Sequence, residues 1–132
     1  MLHTLQIKTS SRVELIDITE EVRKLVGEEN IENGMVCLFV PHTTAGLTIN
    51  EAADPSVKSD IIQKMNSLVP VNDGYRHSEG NSDSHIKCSL FGLQLNIIID
   101  NSQLVLGTWQ GIYFAEFDGP RNRKLYIKLM TG

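Results

Sequence analysis

A chain of 132 residues, 41% apolar and 21% charged, has the length and composition of one globular domain and can bury roughly two-thirds of its unfolded surface without staples. Its net charge of −4 and pI of about 5.5 argue against non-specific nucleic-acid binding, which needs a basic face to displace counterions, but leave room for a small anion at a local positive spot. No apolar run approaches a membrane span, the N-terminal stretch HTLQIKT is strand-like rather than signal-like, and only two cysteines are present. The expectation is a reduced, cytoplasmic protein with no membrane or nucleic-acid partner.

Residues 3–9 alternate, Leu5 and Ile7 against Thr4, Gln6 and Lys8, as in a half-buried strand. Ser10, Ser11 and Arg12 read as a turn, with Val13, Leu15 and Asp17 as the hairpin partner. Thr19 reads as the N-cap of a first helix, with Glu20 and Glu21 in the first turn and a stripe of Val22, Leu25 and Val26 that fades over 27–30. After the Asn33–Gly34 turn, residues 35–40 (MVCLFV) form a continuous apolar run, expected to be a central strand buried on both faces. Pro41 suits its end, and His42 follows immediately, where a rigid strand would aim it into a cleft. Residues 43–50 read as a further short strand.

Asp54 and Pro55 open a second helix, carrying Val57, Ile61, Met65 and Leu68 at helical spacing and ended by Pro70. Residues 71–81 read as loop. Ser82 is expected to cap a third helix over 83–91, closed by Gly92. Leu93, Leu95, Ile97 and Ile99 alternate in a strand, residues 100–102 turn, and 103–106 and 110–117 read as strands. A turn at Asp118, Gly119 and Pro120 precedes a last strand with Leu125, Ile127 and Leu129. Many strands with three helices among them, and no repeats or linkers, predict one α+β domain over 1–132 with a mostly antiparallel sheet or sandwich.

The chemistry concentrates in residues 75–88, YRHSEGNSDSHIKC. Here His77, His85, Glu79, Asp83, Asn81, Arg76, Lys87 and Cys88 surround Gly80, and Tyr75 and Ile86 are the only sizeable apolar residues. With His42 from the stretch 41–55, three imidazoles and an open position would make a metal geometry, Glu79 or Asp83 serving as fourth ligand or holding an imidazole tautomer. No tight His-x-x-x-His or Cys-x-x-Cys pattern is present. Spacing alone therefore favours a plainer account: an exposed His77, a hydrogen-bonded His85 and His42 as a strand-end residue. The amides after Ser82 offer a helix N-terminus to phosphate, Asn81, Ser82 and Ser84 add neutral donors, and Lys87, Arg76 and Arg121 add charge. A serine cap also satisfies such a helix end without a ligand. Cys88 fits a small inward helix residue better than a nucleophile. Trp109, between Gly107 and Gly111, fits a pocket wall, an oligomer contact or the core.

Three blocks, HTTAGLTINEAADPSV (42–57), HSEGNSDSHIKCSLFG (77–92) and LGTWQGIYFAEFDGPR (106–121), together resemble the YjbQ-type family, also called secondary thiamine-phosphate synthases, over nearly the whole chain. The resemblance implies a small antiparallel α+β protein that forms a homotrimer. It implies a pocket near a subunit boundary in which His42, His77 and His85 meet and hold a divalent metal, zinc or magnesium. It further implies a modest transferase activity, joining a hydroxymethylpyrimidine pyrophosphate to a thiazole phosphate with loss of pyrophosphate. On this basis His42, Glu79 and Asp83 are the expected catalytic residues. His42, His77 and His85 are the expected metal ligands, and Asn81, Ser82 and Arg121 the expected holders of a small phosphorylated substrate. A metal-dependent hydrolase of a phosphorylated metabolite, and a non-catalytic trimer binding a small anion or metal, are the alternatives.

Overall fold

The computed structural model describes residues 2–132. Eight strands and three helices occur among them: β1 (Leu2–Lys8), β2 (Glu14–Asp17), α1 (Thr19–Glu28), β3 (Gly34–Phe39), β4 (Ala45–Glu51), α2 (Pro55–Leu68), α3 (Ser82–Phe91), β5 (Gln94–Asp100), β6 (Gln103–Leu104), β7 (Gln110–Glu116) and β8 (Asn122–Thr131). A five-stranded sheet has the order β1-β8-β3-β5-β6 and a three-stranded sheet the order β2-β7-β4, with every pair antiparallel. This is the α+β sandwich expected from the pattern of elements.

The alternation along the strands decides the layers. Ile7, Val36, Leu38, Ile97, Ile99, Leu125 and Ile127 of the larger sheet meet Leu47, Ile112 and Phe114 of the smaller one, and Val22 and Val26 of α1 join the same core. The opposite phase of the smaller sheet, Leu15, Tyr113 and Ala115, packs with Phe117 and Cys88, against Ile61 and Ile62 of α2 and Phe91 of α3. The smaller sheet is therefore covered on both faces, and every residue of β7 from Gly111 to Glu116 is buried.

Five local expectations are corrected. The strand buried on both faces is β7, not the run 35–40: β3 is central in its sheet, but Met35 and Cys37 are only half-buried and Phe39 is exposed on its outer face. An apolar run looks the same whether a second layer covers it or not. Second, β1 and β2 do not form a hairpin. β1 pairs with β8 and β2 with β7, because the segment between them carries the chain from one sheet to the other. Third, Thr19 is the first residue of α1 rather than its cap. Its N–H and its hydroxyl both donate to Asp17 Oδ1, at 2.9 and 2.5 Å, so the acid two residues earlier takes the capping role. Fourth, Ser82 is likewise inside α3, and Asn81 stands at the N-cap without a capping side-chain bond. The strand expected over 103–106 is shorter, ending at Leu104.

Asp54 caps α2 as expected, accepting from the Ser56 N–H at 2.9 Å with Pro55 behind it. Gly92 ends α3 at φ 92°, a left-handed conformation that favours glycine. Gly46 allows that helix end to approach β4: a Cβ there would lie 2.7 Å from the Gly92 carbonyl oxygen.

Candidate functional site

Loops from both ends of the chain converge beside the start of α3. Arg12 comes from the β1–β2 connection, Thr43 and Thr44 from the loop after β3, Gly80 and Asn81 from the approach to α3, and Arg121 from the turn before β8. These residues line a cavity of about 520 Å³. Glu79, His85 and Asp118 complete its wall. Cavities that bind small ligands are of this size, and this lining is mostly polar. The N–H groups of Thr43 and Gly80 have no acceptor among the described residues.

Two ion clusters hold the cavity from behind. Asp83, completely buried, accepts from Arg12 Nη1 and Nη2 at 3.1 and 3.0 Å and from Lys87 Nζ at 3.0 Å, and Lys87 also donates to Asn66 Oδ1 at 3.0 Å. Burial pushes the Asp83 carboxyl up, but hydrogen bonds from Arg12 and Lys87 outweigh it and hold the pKa below the ordinary carboxylate value. Two cations on one carboxylate leave a positive excess, and the Arg12 side chain, 38% exposed, brings it to the cavity. The second cluster is Glu116 with Arg123, both buried. Burial raises the Glu116 pKa, and hydrogen bonds from Arg123, the Asp118 N–H and Thr9 more than reverse this.

The expected site residues divide between these places. Asn81 and Arg121 lie on the cavity wall. Asn81 donates one of its two Nδ2 hydrogens to Asp118 Oδ2 at 2.9 Å. Its Oδ1 is the buried side-chain atom left without a hydrogen-bond partner among the described residues. An orphan acceptor of this type costs about 1–3 kcal/mol and calls for a local explanation. Arg121, half-exposed, donates to Asp118 through Nη2 at 3.0 Å and to the Asp118 carbonyl through Nε at 2.9 Å. Ser82 lies with Tyr75, Arg76, His77, His85 and Ile86 in a neighbouring, more apolar groove of about 550 Å³. Asp83 does not orient an imidazole: its partners are Arg12 and Lys87, and it belongs to the support behind the cavity. Lys87 is part of the same support.

Two of the three imidazoles come together. The rings of His77 and His85 stand edge to face with centroids 5.5 Å apart, and Glu79 Oε2 lies 3.8 Å from His77 Nε2. His85 lines both the polar cavity and the groove. His42 stands apart from them, its Nε2 accepting the Lys124 N–H at 3.0 Å. Burial and the nearby guanidiniums of Arg123 and Arg121 lower its pKa, so the ring is neutral with its proton on Nδ1. Among the described residues no three His, Cys, Asp or Glu side chains are grouped so as to hold a metal ion. One chain thus supplies a histidine pair, not a three-histidine centre.

Cys88 is buried, its thiol 3.0 Å from the Ala45 carbonyl oxygen and its pKa raised by burial, as suits an inert packing residue. Trp109 is 63% exposed, which rules out the core as its place. Arg12, Glu116 and Arg123 escaped the sequence reading, although a signal existed. Counting back from Leu125 and Ile127 places Arg123 on the inward phase of its strand, and Glu116 lies within the apolar run GIYFAEF. A charge at an inward position has to find a partner.

Comparison with known proteins places this geometry in a family. The chain belongs to the family described as "UPF0047 protein YjbQ-like", which it matches over residues 3–132. It is 54% identical to a UPF0047 protein of Methanocaldococcus jannaschii over 98% of this chain and 94% of that one. It is 52% identical to the UPF0047 protein YugU of Bacillus subtilis, over 98% of this chain and 99% of that one. The crystal structure of a YjbQ/UPF0047 family protein from Clostridium acetobutylicum superposes with a TM-score of 0.95 at 52% identity, covering 97% of this chain and 99% of that one.

Proposed function

We propose that this member of the YjbQ-like UPF0047 family binds a small phosphorylated substrate in the cavity between Arg12, Arg121, Thr43–Thr44 and Gly80–Asn81. The activity proposed is the one its sequence resemblance implies: transfer of a hydroxymethylpyrimidine group from its pyrophosphate to a thiazole phosphate. The observation that carries the reading is the convergence of two guanidiniums and unpartnered loop amides on one polar cavity, in a chain whose net charge is −4. In the transfer, the thiazole nitrogen forms a bond to the pyrimidine methylene carbon as the carbon–oxygen bond to pyrophosphate breaks, and the leaving group takes the electron pair. Arg121 and the amides at the start of α3 would meet the charge that grows on it. His85, at the cavity wall, is the histidine placed to exchange a proton with a leaving oxygen. His42, held neutral and engaged through Nε2, is less suited to give one.

Among the described residues of one chain, a divalent metal, zinc or magnesium, would find the His77–His85 pair, with Glu79 beside His77. A further donor would come from a neighbouring copy if the chain forms the proposed homotrimer. The outer face of the larger sheet supports association: Leu2, Phe39, Ile98 and Met130 are all exposed there, with Val105 beside Ile98. No helix among the described residues is long and apolar enough to cross a membrane.

The test incubates the purified protein with hydroxymethylpyrimidine pyrophosphate and thiazole phosphate, and follows thiamine phosphate and released pyrophosphate with and without added zinc or magnesium. Arg121→Ala should lower the rate at least about tenfold, the scale of one lost charge-assisted contact in the transition state. Turnover of simple phosphate esters in place of the transfer would make the protein a hydrolase. Saturable pyrophosphate binding with no turnover of either would make it a binding protein.

A further inference from the structure

Apart from His85 on α3, the segments that line the cavity are loops, and the sheet ladders do not reach them. Their polar anchors nevertheless run to one buried centre. Glu116 Oε1 accepts from the Thr9 hydroxyl at 2.8 Å and from Arg123 Nε at 2.9 Å. Glu116 Oε2 accepts from Arg123 Nη2 and from the Asp118 N–H, the latter at 3.0 Å. Arg123 Nη2 reaches on to the Thr44 hydroxyl at 2.9 Å and the Thr44 carbonyl at 3.2 Å. Thr9 Oγ1, with its proton given to Glu116, accepts the Arg121 N–H at 2.9 Å. The Gly119 N–H donates to the Arg12 carbonyl at 3.0 Å, and Gly119 packs directly on Glu116 and Thr9.

We propose that Glu116, Arg123 and Thr9 are positioning residues: one buried network that sets the Thr44, Asp118 and Arg121 arms of the cavity at the spacing an anion needs. The inference rests on reading that cavity as an anion site. The physical ground is the contrast between what such a pair does for stability and what it does for placement. A buried ion pair replaced whole by apolar side chains of similar volume often leaves stability unchanged or raised. Stability alone therefore does not account for a glutamate and an arginine here. Their hydrogen bonds do something apolar side chains cannot: they end on Thr44 in the loop after β3 and on Asp118 and Arg121 in the turn before β8, and Thr9 ties in the β1–β2 connection, so these loops are fixed relative to one another, and catalytic or binding geometry is sensitive to shifts of an ångström. None of these three residues lines the cavity, so they act through the arms and not on the ligand.

The experiment uses Glu116→Leu/Arg123→Met, which removes both charges together, and Thr9→Val with Thr9→Ser as its conservative control. Each is measured for unfolding midpoint and for binding of inorganic phosphate and pyrophosphate by calorimetry. Hydrogen exchange is followed at the Arg121 N–H, whose own acceptor, Thr9, is intact in the double variant. The expected result is a midpoint near wild type, pyrophosphate affinity down at least about tenfold and faster exchange at Arg121, with Thr9→Ser close to wild type and Thr9→Val impaired. Wild-type affinity and exchange in a folded double variant would overturn the proposal, as would a Thr9→Val variant that binds like wild type. If the double variant fails to fold, the Thr9 pair alone decides. If wild type binds neither anion, the anion reading fails, and the exchange data still decide whether the network holds the arms.

Discussion

At the scale of single residues, Arg12 works in two directions. Its backbone ties the Gly119 turn in place, and its guanidinium both neutralises the buried Asp83 and faces the cavity. Arg12→Ala leaves Asp83 with Lys87 as its one remaining cationic partner. Breaking an enclosed ion pair costs roughly 3–5 kcal/mol, but Arg12 is 38% exposed and screened by water, so the expected loss is about 2 kcal/mol, read from urea unfolding. A change below about 0.5 kcal/mol, the scale of an ordinary surface substitution, would show that Lys87 alone satisfies Asp83. His77 and Arg76 are legible in the sequence as polar loop residues, and so they stand. The Arg12 partner of Asp83 is not, because it is 71 residues away along the chain.

At the scale of elements, two glycines separate space from conformation. A Cβ on Gly119 would lie 2.3 Å from the Ser11 carbonyl oxygen and 2.8 Å from Glu116 Cγ, and a backbone oxygen does not step aside cheaply. Gly119→Ala should cost about 1–3 kcal/mol in denaturant unfolding and also weaken phosphate binding, because the same turn carries Asp118 and Arg121. Gly27, near the end of α1, has nothing within 4 Å of its Cβ position and no positive φ. There alanine should stabilise by about 0.5–1 kcal/mol through helix propensity and the entropy of the unfolded chain. Neither difference is visible locally. Asp-Gly-Pro reads as a turn in any sequence, and only the approach of the β1–β2 connection makes its glycine irreplaceable.

At the scale of the whole molecule, pH and assembly are the accessible tests. Asp83 and Glu116 both have folded pKa values below their unfolded ones, near about 4. As pH falls, the unfolded chain therefore takes up protons first. The stability these groups contribute is complete above the unfolded values and drains away as pH drops through about 4 toward the folded ones. Because His42 also titrates lower in the folded chain, the urea midpoint should ease downward below about pH 6.5 and fall further below about 4, and removing the Glu116–Arg123 pair should flatten the acid fall. Assembly is tested on the open sheet face, where Met35 pairs with both Ile98 and Met130. Ile98→Lys with Met130→Lys should leave the fold intact, since both side chains are exposed, and should reduce the mass measured by light scattering if copies associate there. An unchanged mass, oligomeric or monomeric, would remove this face as the contact.

The sequence by itself determined the class of the fold, most element positions, the cap of α2, the glycine stop of α3 and the polar stretch that walls the site. These follow from period-two and helical alternation and from turn chemistry, which act within a few residues. It also determined family membership, because long blocks of side chains repeat in order. Only the tertiary structure decided that β7 rather than β3 is covered on both faces, and that Asp83 looks away from the histidines. It alone brought His85 into the cavity with Arg12 and Arg121 while leaving His42 on Lys124, and made Glu116 and Arg123 the centre of three loops. Each of these depends on which layer covers which strand and on contacts between residues far apart in the chain. Spacing along a sequence does not encode such contacts until the sheets have packed.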